Sequence, residues 1–251
     1  MRHGIAQKLT RTEKAYTALK KAILQGQFQE GVFLSEADIM KRYGVGRTPY
    51  REACNRLHHE GLLEVVPRRG YLIPEVSFHS VCDLFEMRLI LEGVIAELAA
   101  VRATDLDIRE IEELANKPLP SGASEKQFTE LIYSNANFHL RLAKTTGNRE
   151  LVEALRRNLE RTERLMYIEL RLSRFRNREF RLLHSRIVDA LRTRDPKAVQ
   201  EAVLNDIREA QNATLTFGVR RQGAELPLNN NRSAELPNRI ASLAIRSGNP
   251  H

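Results

Sequence analysis

The sequence predicts a mainly α chain: three short helices and a small β-hairpin, followed by an all-α helical bundle. Three observations predict it. Apolar residues recur at helical spacing through most of the length. The stretch that instead alternates or runs β-branched, "LLEVV" and "GYLIP" around "PRRG", lies within residues 62–74. Capping and breaking residues punctuate the pattern where helices must end.

In order, "RTEKAYTALKKAILQ" (11–25) puts Ala15, Leu19 and Ile23 on one helical face and lysines on the other, and Gly26 and "QEG" break it. Ser35 reads as an N-cap, with Asp38 as a weaker version of the capping-box partner, for the short helix "EADIMKRY", which Gly44 closes. A third helix is expected over Arg47–Glu60, with Pro49 tolerated in its first turn and Gly61 as its stop. The hairpin follows. Beyond Pro74 the strand signal ends, and amphipathic segments are expected at 77–102, 105–116, 124–145, 148–171, 177–193 and 195–216. They are separated by "TD", "KPLPSGAS", "TTGN" and "TRDP". From Phe217 the pattern fails, and residues 217–251, rich in Asn, Pro, Ser and Gly, read as a disordered tail. The domains expected are a flexible arm (1–10), the helix-and-hairpin unit (11–76), the bundle (77–216) and that tail.

Composition narrows the function classes. The chain has 251 residues, 42% apolar and 29% charged, which suits a soluble globular protein of two domains. Its first residues hold no apolar secretory core. The most apolar segment, "VCDLFEMRLILEGVIAELAAV", is interrupted by Asp83, Glu86, Arg88, Glu92 and Glu97 and is not expected to span a bilayer. Cys54 and Cys82 make no disulfide framework and fit a reducing cytoplasm. Charge is uneven: of a net +8, residues 1–74 carry +6 and residues 75–217 carry −1. A basic head on a neutral body points to a polyanion for the head.

Three short helices and a two-stranded wing are the parts of a winged helix-turn-helix, whose turn is Gly44–Gly46. Its recognition helix enters the major groove with the N-terminal end nearest the bases. Arg47 and Arg51, one turn apart, can each offer a fork to guanine; Thr48 and the first-turn backbone N–H groups beside Pro49 suit phosphate. Arg68 and Arg69 at the wing tip can reach the backbone or minor groove, where Gly70 permits close approach. A merely solvated basic helix would leave the wing, the turn glycines and the charge asymmetry unexplained. His58 and His59 read as packing or exposed residues.

The stretch "GVFLSEADIMKRYGVGRTPYREACNRLHHEGLLEVVPRRGYLI" resembles the GntR family of bacterial transcription regulators. It departs from that family's pattern at Gly46, where Ser is usual, at Tyr50 for Val and at Cys54 for Leu. The resemblance implies binding of double-stranded DNA, as a homodimer on an inverted-repeat operator.

In the bundle, Phe128, Leu131, Asn135, His139 and Leu142 share one helical face, as do Phe180, His184, Ile187 and Leu191 on another helix. Val199, Val203, Asp206 and Ala210 do so on a third. Each stripe turns a metal-capable polar group into an apolar face, and buried polar groups need partners, so these are expected to meet. Arg88 falls on the stripe Val81, Leu84, Arg88, Leu91, Ile95; its partner is either an incoming carboxylate or Glu92, one turn on.

The segments "DLFEMRLILEGVIAELAA", "NANFHLRLAKTTGN" and "HSRIVDALRTRDPKAVQEAVLNDI" resemble the FCD ligand domain of the FadR subfamily of GntR regulators. Many members hold a divalent metal with one Asp and three His. His139 and His184 match two of those histidines; Asn135 stands where the Asp is expected and Asp206 where the third His is expected. The exchange keeps one carboxylate among four ligands, and the oxygen-richer set leans to harder ions while admitting zinc, so zinc, manganese or nickel is expected. The resemblance further implies a small organic acid as effector, placed near Arg88, Asn135, His139, His184 and Asp206.

The expected protein is thus a cytoplasmic, dimeric, DNA-binding regulator, with repression the commoner outcome in such families. Two alternatives are a constitutive DNA binder with a purely structural bundle and a metal-dependent enzyme built on His139 and His184. The enzyme lacks a phosphate loop, a nucleophile elbow or an acid–base pair.

Overall fold

The computed structural model describes residues 10–117, 125–172 and 177–222 of the chain. The head is built from α1 (Arg11–Leu24), α2 (Glu36–Tyr43), α3 (Arg47–His59) and a hairpin of β1 (Glu64–Val66) and β2 (Gly70–Leu72). The caps explain the boundaries. Thr10 accepts a hydrogen bond from Glu13 N at 3.1 Å, and Ser35 accepts one from Asp38 N at 3.3 Å. Gly44, at φ 63°, ends α2 in the left-handed conformation that a residue with a Cβ resists. The strands pair antiparallel, with Val65 opposite Tyr71.

The second strand also pairs on its other side. Leu34 N donates to Tyr71 O at 2.8 Å and Ile73 N to Val32 O at 3.0 Å, so "GVFL" at 31–34 forms a third edge of the wing beside the expected hairpin. Ala15, Leu19, Ile23, Ala53, Leu57 and Ile73 close the core of the head.

The bundle comprises α4 (Phe78–Arg102), α5 (Asp105–Asn116), α6 (Glu125–Lys144), α7 (Arg149–Leu172), α8 (Asn177–Thr193) and α9 (Pro196–Gln222). Helix α4 packs on α6, α7, α8 and α9, and its outer side is apolar too, with Met87, Val94 and Val101 exposed. Capping boxes start α4 (Ser77 with Ser80) and α5 (Thr104 with Asp107).

Helix α9 corrects the expected end at 216, since its backbone stays helical to Gln222. The apolar stripe does stop near Phe217, but no proline follows until Pro227, and the lone Gly218 costs a helix only about 1 kcal/mol. The rest of the expected tail (223–251) and of the expected arm (1–9) lies outside the described residues, as do the side chains of Phe128 and Phe180.

Head and bundle meet on α7. Lys20 of α1 reaches Glu60 at 3.0 Å and Glu160 of α7 at 2.9 Å. Arg164 donates to Pro74 O at 3.0 Å and pairs with Glu30 at 3.5 Å, which ties down the connection between β2 and α4. Among the described residues no helix is long and apolar enough to cross a membrane.

Candidate nucleic-acid interface and effector site

Helix α3 exposes its outer side and buries Tyr50, Ala53, Cys54 and Leu57. Its N-cap, Gly46, supplies no side-chain hydrogen bond, so the backbone N–H groups of the first turn keep their capacity for an anion; Pro49 brings none. Arg47 and Arg51 project outward here, at 70% and 59% side-chain exposure. Both turn Nε to one carboxylate, Glu36 of α2: Arg47 hydrogen-bonds to Oε1, and Arg51 lies 3.8 Å from Oε2. The terminal forks stay available. The sequence reading passed over Glu36, although its place in the first turn of α2, just ahead of the basic helix, was a signal.

The wing is held to this helix by Tyr71, whose hydroxyl donates to Asn55 Oδ1 at 2.7 Å. Arg68 sits at the tip with φ 63° and Gly70 follows at φ 101°, where a side chain would be strained. Arg69 instead lies over the Phe33 ring, 4.3 Å from its centroid. His58 Nδ1 approaches Leu63 O at 3.0 Å, a local contact at the helix end. Cys54 and Cys82 are free thiols, and burial pushes the Cys54 thiol up to about 12, which keeps it inert.

Within the bundle, His139 of α6, His184 of α8 and Asp206 of α9 converge in the core. All three are buried, and one ligand atom of each lies within 4.8 Å of the others. His139 Nε2 is 3.4 Å from Asp206 Oδ2, and His184 Nε2 is 3.8 Å from Asp206 Oδ1. Ligands about 2.0–2.1 Å from a tetrahedral ion stand about 3.4 Å apart, so the donor set and its spacing fit a divalent ion after small side-chain shifts. Phe138 stacks on the His184 ring at 3.9 Å between centroids and 10° between planes, which fixes that imidazole. Asn135, one turn before His139, is buried, and its amide nitrogen donates to the Met166 sulfur at 3.8 Å.

Arg88 is also in this core, and its side chain is 1% exposed. Its Nε donates to Glu92 Oε1 at 2.7 Å and its Nη2 lies 3.4 Å from His139 Nε2. Of the two partners considered for Arg88, the pair with Glu92 is therefore formed, and it leaves the Nη groups facing the histidine. Glu92 reaches further: its Oε2 is 2.6 Å from His139 Nδ1. At that distance the carboxylate and the ring nitrogen form a close charge contact between α4 and α6. Glu92 was considered only as a partner of Arg88; its contact with α6 depends on helix packing that periodicity does not convey.

Electrostatics follow from this arrangement. Burial opposes charge on His139, but Glu92 and then Asp206 outweigh it and lift the pKa to about 9. Burial drives His184 down to about 4, with Asp206 opposing. Burial would raise both carboxylates, yet Arg88 and His139 hold Glu92 below its usual range, and the two histidines do the same for Asp206.

The two regions correspond to two known family patterns. The pattern described as "Bacterial regulatory proteins, gntR family" matches residues 11–73, and that described as "FCD domain" matches residues 83–209. The chain is 32% identical over 143 residues to the HTH-type transcriptional regulator YdhC of Bacillus subtilis (strain 168), covering 56% of this chain and 62% of that one. It is 30% identical over 162 residues to the Nta operon transcriptional regulator of Aminobacter aminovorans (64% and 76% covered). It is also 30% identical over 159 residues to the HTH-type transcriptional repressor GlaR of Escherichia coli (strain K12), with 62% and 72% covered. Among solved structures, E. coli McbR/YncC shares the fold, with a TM-score of 0.70 at 21% identity over 83% of this chain and 99% of that one. These relatives are regulators, which leaves the enzyme reading of His139 and His184 without support. A winged head that projects arginines, joined to an FCD domain with a buried polar centre, places this chain in the GntR family of bacterial transcription regulators, in its FadR subfamily.

Proposed function

We propose that this regulator acts in the cytoplasm as a homodimer on an inverted-repeat operator and that it is a repressor. A small organic acid, bound in the FCD domain beside a divalent ion, changes the relative placement of the two heads. The observation that carries the reading is the convergence of His139, His184, Asp206 and Arg88 from four helices in the core of the bundle. His139, His184 and Asp206 would hold zinc, manganese or nickel, with Asn135 as a weak fourth ligand or as the partner of a bound water. Such an ion supplies a positive centre with an open position for an oxygen ligand. The Nη groups of Arg88 meet the same carboxylate from the other side, so its charge is not buried unpaired. On the head, Arg47 and Arg51 read bases, Thr48 and Pro49 lie along the phosphates, and Arg68, Arg69 and Gly70 anchor the wing. Homodimer formation is supported by Met87, Val94 and Val101, large apolar side chains exposed at seven-residue spacing along α4.

One observation favours a constitutive binder with a structural bundle: Arg88 and His139 already balance Glu92 and Asp206 in charge. A thermal-shift screen of small carboxylates separates the two readings, run with and without zinc, manganese or nickel on wild type and Arg88→Ala. The effector reading expects a stabilising acid whose effect needs Arg88. No shift with any acid or ion leaves the constitutive reading.

A further inference from the structure

We infer that Glu92 is a positioning residue for the site in the FCD domain: it fixes which nitrogen of His139 faces Asp206 and His184, and it holds Arg88 beside that nitrogen. The inference rests on the metal-assisted reading above. Glu92 is 1% exposed, and a carboxylate is costly to bury without partners. Its two oxygens divide between two elements, Oε1 receiving Arg88 Nε of its own helix at 2.7 Å and Oε2 lying 2.6 Å from His139 Nδ1 of α6.

An ordinary intrahelical ion pair explains the first contact. It does not explain the second. A carboxylate oxygen this close would repel a lone pair on Nδ1, whether or not the N–H points straight at it. Nδ1 therefore carries hydrogen, and Nε2, 3.4 Å from Asp206, is the nitrogen that would give up its proton to turn a lone pair to an ion. A carboxylate behind a ligating histidine also strengthens it as a donor. The same residue takes up Arg88 Nε, which leaves Nη2 facing this nitrogen at 3.4 Å.

The experiment uses the full chain and zinc alone as the probe, after chelation and buffer exchange. Zinc affinity is measured by calorimetric titration for wild type, Glu92→Gln and Glu92→Asp, with the His139 ring nitrogens followed by 15N NMR. Glu92→Gln is expected to lower zinc affinity about 10–100-fold, the usual effect of removing such a partner, and to lose the Nδ1–H signature of the loaded ring. Glu92→Asp keeps the charge but draws it back from Nδ1, so it should recover part of the affinity. This variant also provides the test should Glu92→Gln not fold. Wild-type binding with both folded variants equal to it overturns the inference and leaves Glu92 as a core ion pair. A wild type that takes no zinc, and no manganese or nickel in the same titration, overturns both the inference and the metal reading beneath it.

Discussion

Arg47 and Arg51 both rest their Nε against Glu36, so what they present outward is the terminal fork that matches guanine O6 and N7. Arg47→Ala is expected to cost about 1–3 kcal/mol at the operator and to relax the preference at one base pair. Arg68→Ala, at the wing tip, should weaken all sequences about equally. Competition binding at one fixed salt concentration distinguishes them, and an even loss for Arg47→Ala would make it a phosphate contact. Glu163 of α7 gives a prediction of another kind. Burial, then the neighbouring Glu160, raises its pKa to about 7 against the pull of Lys20. A raised carboxylate binds its proton more tightly when folded, so its contribution is fully present below the unfolded value near 4.3 and is lost as pH rises through about 7. Glu163→Gln should therefore match wild type near pH 4 and exceed it by about 1–3 kcal/mol at pH 8. Denaturant midpoints at both pH values check this; a gap that does not widen with pH would mean the carboxylate is solvated.

At the scale of elements, Gly46 is an N-cap without a side chain, yet its φ of −82° and a nearest neighbour 3.9 Å from an added Cβ leave room for one. Gly46→Ser should raise stability by only a few tenths of a kcal/mol, because glycine is itself a tolerable cap. A rise above about 1 kcal/mol in chemical denaturation would show that the uncapped turn is strained. Most helices were legible in the sequence because their ends are written locally, in Thr10, Ser35, Gly44, Ser77 and Thr104. The end of α9 was not, since the apolar stripe and the backbone helix stop at different residues. The third edge of the wing was not either: "GVFL" pairs through backbone groups that leave no side-chain pattern. In the site, His139, His184 and Asp206 were legible because each interrupts an apolar stripe. The reach of Glu92 to His139 and the shared grip of Glu36 were not, because both depend on how separate helices lie against one another.

Across the whole molecule, α7 stands between the two functions. It touches the head through Glu160 and Arg164 and the proposed effector site through Met166, whose sulfur receives Asn135. A shift of α6 or α7 on ligand binding thus has a direct route to Lys20 and to the connection at Pro74. Steep weakening of DNA binding with salt is expected for the basic head whatever the bundle does, so salt dependence does not test the coupling. The decisive measurement is operator affinity at one salt concentration, with and without the carboxylate and metal that stabilise the protein, for wild type and His184→Ala. A coupled regulator changes its operator affinity several-fold on loading, and His184→Ala removes the change while still binding DNA. Equal affinity of loaded and unloaded wild type would contradict the account and make the bundle a structural core beneath a constitutive DNA-binding head.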